Sequence, residues 1–342
     1  MKKLVICVLI GTLSVFTLAA GGQGDSKAPA AAPAAAPAAA KTFEISLPTH
    51  FNAGTTEFNA VERFQKAVEE GSKNQIKIKT FPGSSLGSEL ENLEQVKTNL
   101  VQMSVFGDML TSQLAPELDP TVVPFIFPNV EEVYAYWDGP MGAKIQAALE
   151  QRGNQFLVAL QKRGARQLTA DKAVKTPADL KGIKIRVPEI PSWVHVWKGL
   201  GALPTPVAFA ETYNALQTRV VDAQENPLSN IWVAKFYEVN KWVILTNHLF
   251  NVYHWTINKN FAGSLPADLK KLVLDSAKEA CKWADTVVDN REKELVAELK
   301  KAKVTFVEVD NALWIKTARP FVEQLAEKWD PAAREAIKKY YK

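Results

Sequence analysis

The sequence predicts an α/β protein with two lobes around a ligand cleft, and three observations carry that prediction. Over residues 43–106, short alternating apolar stretches and helical patterns follow one another as strand, helix, strand, helix, strand. Between 176 and 227, two strands separated by a helix both end in polar side chains, as the wall of a cleft would. From 266 to 301 a helical pattern runs on almost without interruption, a length suited to bracing two lobes. The chain of 342 residues is long enough for two domains and a large core.

The chain opens with MKKLVICVLIGTLSVFTLAAGG, two lysines followed by a short apolar run and small residues. Residues 1–22 therefore read as a secretory signal peptide, and the expected location is the periplasm. Leu18-Ala19-Ala20 resembles the start of a lipoprotein cleavage box, but Gly21 stands where that box needs cysteine. Lipid anchoring is disfavoured on that ground. Residues 23–41 carry repeated APAAA units and form an Ala/Pro-rich linker, extended because regular prolines prevent a stable helix. Without Lys2 and Lys3 the chain has 39 basic and 37 acidic side chains, so no nucleic-acid or anionic-membrane partner is implied. Cys7 lies in the signal segment, which leaves Cys281 alone and no intrachain disulfide.

Residues 43–47, 75–80 and 101–106 read as strands, with a helix over 58–70 whose stripe is Phe58, Val61, Phe64 and Val68. A Gly/Ser loop in FPGSSLGSELENLEQV opens the next helix. The order predicts a parallel sheet, whose ligand loops lie beyond the strands' carboxyl ends at 50–55, 83–89 and 107–111. Further on come a proline-broken stretch at 118–129, helices at 130–137 and 142–151, and a strand at 156–160. Thr176 can cap a short helix that begins at Pro177 and stops at Gly182. In the strand 182–187, Ile183, Ile185 and Val187 alternate with Lys184 and Arg186, so the arginine leaves the face opposite the apolar side chains. A helix at 209–217, strands at 220–221, 242–245, 251–258 and 304–309, and C-terminal helices complete the prediction.

Catalytic and metal signatures are missing. His50, His195, His248 and His254 stand in no metal spacing, and HExxH, GxSxG, Walker and GxGxxG motifs are absent. No catalytic residue, metal or cofactor is expected, and Cys281 reads as a core residue. The positive signal is basic and polar strand ends. Arg186 and Arg166, placed at the mouths of neighbouring strands, suggest a carboxylate clamp, since a guanidinium fork matches a carboxylate bidentately. Asn226 would add a neutral hydrogen bond and Phe209 an apolar wall.

Several motifs in order (KGIKIRVPEIP, GALPTPVAFAETYNALQ, VVDAQENPL, KFYEVNKWVILTNH, GARQLTA) resemble the solute-binding proteins of TRAP transporters, the DctP-like family, from Lys41 to the C-terminus. The resemblance implies a periplasmic-binding-protein-like fold: two α/β domains with a hinge and a long helix spanning both. It places one domain over 42–163 and 252–290 and the other over 164–251 and 291–342. It implies a monomeric receptor that binds an organic acid and hands it to TRAP membrane permease subunits. Arg186 of IRVP is then the carboxylate-binding arginine, Arg166 its helper, Asn226 the asparagine of QENP and Phe209 the phenylalanine of PTPxxF. Asn52 and Glu89 fall where members bind a ligand's polar end. Where sialic-acid receptors carry an acid and an arginine after the third strand, this chain has Gly107 and Leu110 with Asp108 between, which disfavours sialic acid. Asn99 and Arg219 stand at turns where relatives have glycine, so positive φ is expected there.

His50, Asn52, Thr55 and Glu89 make a hydrophilic loop set suited to a sugar acid such as a uronate or aldonate. A C4-dicarboxylate would call for a second cation in that lobe, and the sequence offers none besides Arg166 opposite it. The competing readings are a periplasmic enzyme acting on a carboxylated sugar through Glu89, Asp222 or Glu225, and a sensory receptor without its own permease.

Overall fold

The computed structural model describes residues 41–340; the signal segment and all but the last residue of the linker lie outside the described residues. The strands are β1 (Phe43–Pro48), β2 (Ile76–Phe81), β3 (Met103–Phe106), β4 (Gln155–Lys162), β5 (Arg166–Ala170), β6 (Lys184–Val187), β7 (Leu203–Pro206), β8 (Ala223–Pro227), β9 (Trp242–Leu249), β10 (Val252–Asn258) and β11 (Thr305–Glu308). They form two α/β lobes. One holds β1 beside β2, and β3 and β4 on either side of β10; the other is a six-stranded sheet ordered β11-β9-β5-β8-β6-β7.

The first lobe follows its local patterns. In β1, Phe43, Ile45 and Leu47 are buried while Glu44 is exposed, and the strand runs parallel to β2. The helix Thr56–Gly71 starts where the Thr55 hydroxyl accepts the Phe58 N–H, and it buries Phe58, Val61, Phe64 and Val68. Ser88 and Glu91 form a capping box on the helix Glu89–Lys97, which fixes Glu89 in its first turn. The wholly parallel sheet expected here is corrected. β10 pairs antiparallel with both β3 and β4, and among the described residues the parallel link between β1 and β3 is a single bridge, Thr49–Val105, just past the end of β1. A strand arriving from far along the chain leaves no mark in the local order of elements, which is why the sequence reading missed it.

The second sheet explains the cleft. β8 pairs antiparallel with β5 and parallel with β6. The start of β5 and the ends of β6 and β8 therefore meet at one edge, and Arg166, Arg186 and Asn226 meet with them. Arg166 and Arg186 are not on neighbouring strands, as expected from the sequence, because β8 lies between. The short strand expected at 220–221 begins instead at Ala223, since Arg219 (φ 58°) makes a turn and Val220 is exposed. Likewise β6 starts at Lys184 because Gly182 takes φ 81°.

The helix Ala267–Lys301 is continuous over 35 residues, about 52 Å at 1.5 Å per residue. Its first half, with Cys281, is buried against the first-lobe core of Phe64, Val68 and Trp255; further on, Leu295 and Leu299 join Leu216, Ile231 and Val243. After the helix Asn311–Ala326, the chain returns to the first lobe. The Asp330 N–H bonds the Glu117 carbonyl, and Lys339 and Tyr340 hold Glu132.

Candidate functional site

The carboxyl ends of β1, β3 and β4 point the same way and carry His50, Gly107 with Asp108, and Arg163. Facing them are the second-sheet ends bearing Arg166, Arg186 and Asn226. Between the two walls lies a cavity of about 190 Å³ lined by His50, Glu89, Met109, Arg186 and Phe209. It continues into a smaller recess of about 30 Å³ lined by Glu89, Asp108, Arg163, Arg166, Arg186 and Asn226, room for roughly two water-sized groups. Larger hollows of about 480 and 520 Å³ occur elsewhere, one lined by no arginine and the other by Arg163 alone, whereas three guanidiniums converge in this recess.

Arg186 is 2% exposed. Its Nε donates to the Val207 carbonyl at 2.8 Å, and among the described residues no carboxylate lies within ion-pair distance of it. Burial, reinforced by the nearby Arg166 and opposed by Glu225, pulls its pKa down to about 10. A buried cation in that condition is short of an anion.

Arg166 is the opposite case. Its Nε and Nη2 clasp the Glu225 carboxylate at 2.5 and 2.9 Å, and Nη2 also bonds the Glu225 carbonyl at 2.8 Å. The guanidinium is 4.8 Å from the Trp193 ring centroid. His248 Nε2 lies 2.9 Å from the same carboxylate, with Thr246 Oγ1 2.8 Å from Nδ1. Burial and Arg166 outweigh the carboxylate's pull and hold His248 below its ordinary value, so the neutral ring fits with its proton on Nε2. Burial works against the charge on Glu225, but Arg166 and His248 outweigh it and keep the carboxyl below the usual range. Only Nη1 of Arg166 remains for a ligand.

Asn226 donates from Nδ2 to Gln224 Oε1 at 2.6 Å and accepts on Oδ1 from Asn230 at 3.0 Å, which fixes its amide at the recess. Phe209 stands edge-on to His50 at 5.7 Å and to Phe236 at 5.8 Å, closing one side. Glu89 Oε1 accepts the Gly107 N–H at 2.5 Å, and Oε2 is 3.6 Å from His50 Nδ1. Burial raises the Glu89 carboxyl to about 7, with the Gly107 bond opposing. Burial, then Arg163, Arg166 and Arg186, hold the His50 imidazole well below its ordinary value, so it is neutral.

Six of the seven residues expected at the site thus line the two hollows; Asn52 does not. It lies two residues beyond His50, and its Oδ1 is so close to Gly83 (φ 64°) that a Cβ there would come within 2.5 Å. The sequence reading also missed a residue. Arg163 is buried, bonds Asp108 through Nη1 at 2.9 Å and lies 4.2 Å from the Tyr253 ring centroid. The second cation that seemed absent from this side is Arg163. The strand expected at 156–160 runs on to Lys162, so an arginine assigned to no element in fact follows directly on the strand's carboxyl end.

Two α/β lobes, a long shared helix and a buried anion-seeking cleft define a solute receptor. The chain matches the family described as bacterial extracellular solute-binding protein, family 7 (DctP), over residues 49–329, and it belongs to that family. It is 34% identical over 249 residues to the 2,3-diketo-L-gulonate-binding periplasmic protein YiaO of Escherichia coli, covering 72% of this chain and 76% of the relative. It is 28% identical over 285 residues to the C4-dicarboxylate-binding periplasmic protein DctP of Rhodobacter capsulatus, covering 81% and 84%. A TRAP periplasmic solute-binding protein of Roseobacter denitrificans, solved with bound L-galactonate, superposes with a TM-score of 0.82 at 28% identity, over 88% of this chain and 99% of that one. No helix of the described residues is long and apolar enough to cross a membrane.

Proposed function

We propose that the cleft binds a hydroxylated monocarboxylate, a sugar acid of the uronate or aldonate class, and that the receptor delivers it from the periplasm to a TRAP permease. The observation that carries this reading is Arg186, a buried guanidinium with a backbone carbonyl for a partner and no carboxylate. A ligand carboxylate in the small recess would meet Arg186, with Nη1 of Arg166 beside it and the fixed amide of Asn226 at the rim. The ligand's remaining oxygens would extend towards Glu89 and His50, and Phe209 would cover its carbon face. The diketogulonate and galactonate named for relatives are sugar-derived acids of this kind.

In the domain division expected from the sequence the chain crosses between lobes at Arg163, Asn251 and the middle of the long helix, and its return to the first lobe after Ala326 adds a crossing that division did not include; closure about these crossings would enclose the ligand. In this reading the protein acts as a monomer and catalyses nothing. Glu225 and Asp222 are engaged by Arg166 and Lys184, which suits ion pairing better than acid–base work. A thermal-shift screen over uronates, aldonates, dicarboxylates and amino acids tests the proposal, because a ligand that binds only the native state raises the melting temperature. A shift confined to carboxylated sugars supports it. A shift with neutral sugars or amines and none with carboxylates would overturn it.

A further inference from the structure

We propose that the Arg163–Asp108 pair makes the cleft selective against dicarboxylates. Asp108 cancels the one cation able to hold a second carboxylate, and Arg163 is left to hydrogen-bond the ligand's uncharged oxygens. The inference rests on the carboxylate reading of the cleft given above.

The recess holds three guanidiniums. Arg166 is neutralised by Glu225 and Arg163 by Asp108, both pairs almost wholly buried, so one positive charge, on Arg186, stays uncompensated. With Glu89 protonated, as its burial favours, one carboxylate completes the balance. A second would enter a poorly solvated space already holding the Asp108 carboxylate, where like charges repel far more strongly than in water. An ionised Glu89 would add a further repulsion, and its protonated form adds no cation.

The pair is also equipped for hydroxyl groups. Both residues line the recess, and Arg163 Nε and Asp108 Oδ1 are buried without a hydrogen-bond partner among the described residues, so the pair has one donor and one acceptor unspent. Its geometry is held from three sides. The guanidinium stacks on Tyr253, Asp108 follows β3 directly after Gly107, and the Gly107 carbonyl lies 3.1 Å from His254 Nδ1. A Cβ on Gly107 would approach Arg163 Nη1 to 3.1 Å, closer than ordinary contact, so a larger residue there would press on the pair.

Calorimetry with acids of equal carbon number tests this directly, comparing galactonate, galacturonate and glucuronate with galactarate and glucarate. The wild-type protein is expected to bind its best monoacid at least tenfold more tightly than the matching diacid. Asp108→Asn, which frees the charge of Arg163, is expected to shift that ratio at least tenfold towards the diacid. The double variant Asp108→Asn/Arg163→Gln has neither charge and should keep the wild-type preference while binding the monoacid more weakly; it also serves if the single variant does not fold. Equal wild-type affinity for the two acids, or an unchanged ratio in a folded Asp108→Asn, would overturn the inference and leave the carboxylate cleft standing. Failure of the wild-type protein to bind any of these acids would overturn both.

Discussion

Arg166 and Arg186 lie at one edge of one sheet, both buried, and they do different work. Arg166 has a carboxylate of its own, clasped by two nitrogens and backed by a neutral histidine. Arg186 has a single carbonyl. The comparison separates a charge that holds the fold together from a charge held ready for something outside it. Residue type and burial are the same for both; only the partner tells them apart.

Breaking the internal pair should have the largest effect. Glu225→Ala strands the buried Arg166 guanidinium without its counter-charge and is expected to cost about 3–5 kcal/mol of stability, read by thermal or urea unfolding. Arg186→Ala is expected to behave in the reverse way. Losing a charge-paired ligand contact should weaken binding by about 2–5 kcal/mol, roughly 30- to 4,000-fold. Without ligand, the same variant should melt as high as the parent or higher, because an unpaired buried charge has been removed. A fall in stability comparable to that of Glu225→Ala would erase the distinction between the two arginines.

The opposite wall supplies a smaller, pH-dependent effect. Burial lifts Glu89 from its ordinary value to about 7, so the folded protein holds a proton there that the unfolded chain releases near 4.5. Between these values the folded state binds more protons, and stability therefore falls as pH rises from about 4.5 through 7, by on the order of 1–3 kcal/mol. A bound carboxylate nearby would favour the protonated form further, so affinity should also decline as pH rises through 7, with proton uptake on binding. Calorimetry in buffers of different ionisation enthalpy measures that uptake, and Glu89→Gln should reduce it. Unchanged uptake in Glu89→Gln would assign the proton to another group.

The same contrast marks what the sequence could say. Arg186 was legible because alternation in IKIRVP puts it on one face and a proline stops the strand after it. The long helix was legible for a similar reason, since its spacing is local, whereas the positive φ at Asn99 and Arg219 was expected from the family resemblance, whose members have glycine there. Partnership was not. The commitment of Arg166 to Glu225 spans 59 residues and that of Arg163 to Asp108 spans 55, and both depend on which strands come to lie side by side. The insertion of β10 between β3 and β4 is a pairing of the same non-local kind. Asn52 shows the converse: its position in the loop was right, but its side chain faces Gly83 rather than the cavity.

The most direct test is a crystal structure with the acid that gives the largest thermal shift. The ligand carboxylate is expected at Arg186, with N–H···O distances of about 2.7–2.9 Å, while Arg166 stays clasped to Glu225. A carboxylate held elsewhere, with Arg186 still bonded only to the Val207 carbonyl, would contradict the account.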